Sequence, residues 1–141
     1  MKRGERGSTM IEFAFSSVLL IGLFSGVFQF GYTFYAYNTL VNAVRDGARY
    51  ASLRPYDSTA SGDFQTAVQN RVVYGSPNPP LAAAPILKGL TASNVAIVVT
   101  PGPSASVTVS ITNFQINAVF SNVALNGRPR ATYPYTGTVV Q

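Results

Sequence analysis

"IEFAFSSVLLIGLFSGVFQFGYTF", residues 11–34, is the stretch whose reading decides the architecture. Apart from Glu12 it carries no charged side chain, and it is built largely of Phe, Leu, Ile, Val, Ala and Gly. A helix rises about 1.5 Å per residue, so about 20 such residues cross a hydrocarbon core of roughly 30 Å. One membrane-spanning helix is the expectation. A carboxylate within a span is unfavourable, on the order of 2.5–3.5 kcal/mol at the helix centre, so Glu12 calls for a reason.

Toward the N-terminus, Lys2, Arg3 and Arg6 outweigh Glu5 and leave a positive tip. The positive-inside rule holds such a tip in the cytoplasm and sends the body after residue 50 to the other side of the inner membrane. The net charge of +5 and sequence pI near 9.8 invite a nucleic-acid reading. The distribution argues against it, because Arg45, Arg49, Arg54, Arg71, Lys88, Arg128 and Arg130 stand singly along the chain, as on a solvated face. There is no Cys, hence no disulfide framework or thiolate metal site. With no His, and with Glu12, Asp46, Asp57 and Asp63 as the only acids beyond the tip, no metal site or acid/base pair is spaced for catalysis. No enzyme activity, cofactor or small-molecule substrate is expected.

Toward the C-terminus the helical pattern outlasts the lipid. Tyr37, Leu40, Val41, Val44, Ala48 and Ala51 share one helical face, while Asn38, Asn42, Arg45, Asp46 and Arg49 lie elsewhere. Arg54-Pro55 ends the helix, since proline lacks the amide donor and restricts the residue before it. Phe64, Val68, Arg71 and Val72 predict a short second helix that Gly75 stops. The four prolines of "SPNPPLAAAP" make a loop. "NVAIVVT" and "ASVTVSIT" are β-branched strands joined by the turn "PGPS", a β-hairpin. "NFQINAVFSNVALNG" fits either a short helix or a packed irregular segment, and "RATYPYTGTVV" a terminal edge strand because of Pro134. The expected fold is α+β: a leader over residues 1–7, a transmembrane helix continuing as an amphipathic stalk over 8–54, and a small antiparallel β-rich head with a short helix over 55–141.

Gly7 lies at the junction of the basic tip and the apolar helix, with Glu12 five residues on. A secretory signal peptide is cut after its apolar region; here the small residue precedes it. This arrangement resembles the processing site of type IV pilins and pseudopilins. The resemblance implies cleavage between Gly7 and Ser8 by a membrane-embedded prepilin peptidase. It also implies that Glu12 pairs with the new N-terminal ammonium of a neighbouring subunit, neutralising two charges that lipid disfavours.

"RGSTMIEFAF" and the later "AVRDGARYAS" together are similar to TadE-like pseudopilins of the tight-adherence (Tad) pilus machinery. Arg6, Gly7, Glu12, Phe13 and Ala14 match the first element; Ala43, Arg45, Asp46, Gly47, Ala48, Arg49, Tyr50 and Ala51 match the second. Two departures from the common pattern stand out: Ser16 and Ser17 where many relatives have a proline, and Gln29 where they have an acid. The family implies a minor pilin-like subunit of an adhesive pilus. Its partners are the peptidase, other pilin and pseudopilin subunits and the assembly platform.

Gly22 and Gly26 form a GxxxG that admits close helix packing. An Asp46–Arg49 pair is geometrically allowed. Gly47 is explained either by close packing of another element or as a tolerated residue between two snorkelling arginines. The competing function is a signal-anchored surface domain whose head binds a ligand, with no processing at Gly7 and no need for Glu12.

Overall fold

The computed structural model describes residues 5–57, 61–118, 120–137 and 139–140. Lys2 and Arg3 of the expected leader lie outside the described residues. One unbroken helix, α1 (Glu5–Ser52), runs 48 residues and does two jobs. Its N-terminal half is apolar and largely exposed: Phe13 is 74% and Phe30 78% exposed, and its most apolar window has no buried residue. A helix that is hydrophobic on every side has its partner in lipid or in another helix. Ser16 and Ser17 sit within this half without interrupting it.

The other half of α1 is no free stalk but the spine of the head. Ala36, Leu40, Val44, Ala48 and Ala51 form one fully buried stripe, whereas Tyr37 and Val41, expected on that stripe, flank it half-buried. After β1 (Tyr56–Asp57), α2 (Ser61–Tyr74) packs along this half and buries Phe64, Val68, Val72 and Val73. Gly75, at φ +73, donates its N–H to the Arg71 carbonyl at 3.0 Å and stops α2 as expected. The proline-rich stretch that follows is irregular, and the Ala92–Asn94 turn leads into the sheet.

β2 (Val95–Thr100) and β3 (Ser106–Ile111) form the expected antiparallel hairpin, pairing Val95 with Ile111 through Thr100 with Ser106. β3 is central, because β6 (Arg130–Pro134) pairs along its other edge. Val107, Val109 and Ile111 alternate inward and meet α1, each fully buried. Burying such a side chain is worth about 1.5–3 kcal/mol, so this seam between sheet and helix contributes substantially to stability. Pro134 closes an edge strand, where its missing donor is harmless.

One segment differs from both readings offered for it. "NFQINAVFSNVALNG" is neither helix nor irregular packing but a second hairpin, β4 (Phe114–Asn117) with β5 (Asn122–Leu125). Phe114 and Ile116 are buried while Gln115 and Asn117 are exposed, the period-2 pattern of a half-buried strand. At the far end, β7 (Val139–Val140) pairs in parallel with β1. Thr136 and Gly137 donate their N–H groups to the Ser52 carbonyl at 3.0 and 3.1 Å, and the Tyr135 hydroxyl bonds the Arg54 carbonyl. The chain's end thus supplies donors to carbonyls at the end of α1, which have no partner within a helix.

Candidate functional site

The residues singled out by sequence fall into two groups on α1, residues 7–26 and residues 45–49. Gly7, Ser8 and Glu12 lie exposed in its first turns. Among the described residues the Glu12 carboxylate has no ion pair or hydrogen bond within the chain. Gly22 and Gly26 lie higher on the same free segment. With Val18, Leu23, Val27 and Phe30 they line a shallow apolar groove along one side of the helix. Among the described residues, no other part of the chain comes within 4 Å of where a Cβ at Gly22 or Gly26 would stand.

The second group serves the head itself. Asp46 is not paired with Arg49. Its Oδ2 instead accepts from Arg71 of α2, at 2.8 Å from Nε and 2.7 Å from Nη2. Arg49 is exposed. Both partners keep contact with water, which limits such a pair to about 0.2–1 kcal/mol. Asp46→Asn is expected to lower stability by less than about 1 kcal/mol, the loss shrinking as salt is raised, as read by thermal unfolding at two ionic strengths. Next to it, Gly47 is fully covered by α2. A Cβ there would collide with Cγ2 of Val72 and lie 3.9 Å from the Val68 carbonyl oxygen, so the close-packing reading of this glycine holds.

Two groupings were not visible from the sequence. Arg45 and the distant pair Arg128 and Arg130 line one cleft with Tyr37 and Asn38, so the cations are less scattered in space than in sequence. Gln29, noted only as a departure from a pattern, is a structural tie across 91 and 92 residues. Its Nε2 donates to the Ser121 hydroxyl at 2.8 Å and the Ser121 carbonyl at 3.3 Å, and its Oε1 accepts from the Phe120 N–H at 2.9 Å. No local signal links the two segments; only the β4–β5 hairpin, folded back along α1, brings them together.

No group of His, Cys, Asp or Glu residues suited to a metal ion occurs among the described residues. What the geometry defines is an apolar helix long enough to cross a membrane once, carrying an α+β head on its C-terminal half. The family model for TadE-like proteins matches residues 7–49, from the glycine ahead of the helix to the arginine that closes the RDGAR segment. Over that segment the chain is similar to TadE-like proteins, a match consistent with a protein of Tad pilus systems. No curated protein and no solved structure matches the chain.

Proposed function

We propose that this chain is a minor pilin-like subunit, cleaved after Gly7 by a prepilin peptidase and packed through α1 into or at the base of a Tad-type adhesive pilus. The observation that carries the reading is the position of the TadE-like match, which begins at Gly7, just ahead of the apolar run of residues 11–34 that has Glu12 at its mouth. A protein that needed only an anchor has no use for a carboxylate at the mouth of its span. A subunit that must neutralise a neighbour's new N-terminus does.

In this reading the N-terminus is cytoplasmic, the head lies outside the inner membrane, and the chain performs no catalysis of its own. Gly7 lies one turn inside α1, so the peptidase must unwind that turn to reach the peptide bond. Glycine at this position lowers helix stability by about 1 kcal/mol relative to alanine and clears the approach to the backbone. Intact mass measured on protein from membranes with and without a prepilin peptidase tests it. Loss of residues 1–7 only when the peptidase is present is the expected result. An unchanged N-terminus in both favours the signal-anchored surface domain.

A further inference from the structure

The tip of the β4–β5 hairpin stands beside the apolar half of α1, not beside the rest of the head. Gln29 fixes it there with three hydrogen bonds to Phe120 and Ser121. The rise from Glu12 to Gln29 is about 25 Å along the helix, and a hydrocarbon core of roughly 30 Å anchored at Glu12 reaches about to Tyr32. The tip is therefore held a few ångströms inside the outer boundary of the bilayer that α1 crosses. Its chemistry fits that depth. Phe120 is 68% exposed, and no charged residue occurs between Lys88 and Arg128. Tyr32 and Lys88 line one concavity with β4, the aromatic and snorkelling pair typical of a membrane interface. The Gln29 amide uses both its donor and its acceptor on the hairpin, as a polar group removed from water must.

We propose that the β4–β5 tip is a second membrane contact, with Phe120 seated at the acyl-chain boundary of the leaflet on the head side. The head then rests on the bilayer at a defined height and rotation about α1. The inference depends on the membrane-spanning reading of α1 but not on pilus assembly.

The chain contains no tryptophan, so one substitution gives an unambiguous probe. Full-length Phe120→Trp, Phe24→Trp and Leu53→Trp variants are reconstituted separately into phosphatidylcholine vesicles with or without bromines on the acyl chains. All three positions are exposed, so the substitutions leave the core intact. The expected result is bromine quenching of the tryptophans at 24 and 120 and none at 53, near the membrane-distal end of α1. Quenching at 24 with a water-like emission at 120 overturns the contact while leaving the span standing. So does a blue-shifted, unquenched emission at 120, which means that protein covers the residue. No quenching at 24, or equal quenching at all three, overturns the span and the contact together.

Discussion

Glu12→Ala is expected to leave the protein inserted in the membrane and cleaved at Gly7, yet to remove it from assembled pili. The carboxylate is exposed on a helix with nothing of its own chain beside it, so its deletion disturbs no internal contact. It also relieves the span of a charge, and insertion improves if it changes at all. The loss falls on assembly. An ammonium of a neighbouring subunit, left without its carboxylate in a low-dielectric setting, destabilises the contact by about 2–5 kcal/mol. At about 1.4 kcal/mol per tenfold, that weakens each subunit contact by roughly 30-fold to several thousand-fold. Glu12→Gln separates charge from shape: it keeps the side chain's length and hydrogen bonding, and it is expected to fail nearly as fully. The measurement is surface pilus yield beside carbonate-resistant membrane content in the same cells. Normal piliation with Ala or Gln at position 12 is incompatible with the proposed pairing.

Gly47→Leu is the second large effect, and it acts on the head. α1 and α2 approach so closely here that even a methyl group would meet Val72, which is fully buried and β-branched and so has little freedom to turn away. Overpacking of a well-filled core is destabilising by about 1–3 kcal/mol for a few methylenes, and leucine lies at the upper end of that range. For a folded unit of about 100 residues, each kcal/mol shifts the melting temperature by about 4–8 °C, so a fall of roughly 10–20 °C is expected. Gly47→Ala decides between packing and propensity by its sign. Helix propensity alone predicts a gain of about 1 kcal/mol, while the clash with Val72 predicts a net loss that Val72→Ala partly restores. Thermal unfolding of the detergent-solubilised proteins reads both. Because Glu12 and Gly47 are about 35 residues apart on one helix and share no contact, the double variant should show the two effects unmixed.

The Gly47 result also shows how far the helix could be read in advance. The apolar stripe from Leu40 to Ala51 follows helical spacing and was legible, since its period is set by 3.6 residues per turn whatever covers it. What covers it was not legible. Two explanations of Gly47 stood level until α2 was seen against it, and Asp46 had a local candidate in Arg49 until Arg71 was found closer. The β4–β5 hairpin escaped because its strands are four residues each, and β5 places only Leu125 inside, too brief a pattern to separate from noise. Phe114 and Ile116 alternating with Gln115 and Asn117 were the available signal.

By itself the sequence determined the single apolar helix, the junction of Gly7 and Glu12 at its start, the second helix ended by Gly75 and the β2–β3 hairpin. Each is written in residues close together in the chain, and its cause is local: hydropathy, helical or alternate spacing, or the backbone freedom of glycine and proline. The tertiary structure alone decided that the C-terminal half of α1 is the core of the head, that Arg71 holds Asp46, that Arg45 shares a cleft with Arg128 and Arg130, and that Gln29 ties down Phe120. Those pairings join residues up to 92 positions apart. They arise only when the chain folds back on itself to bury apolar surface that no single element can cover alone.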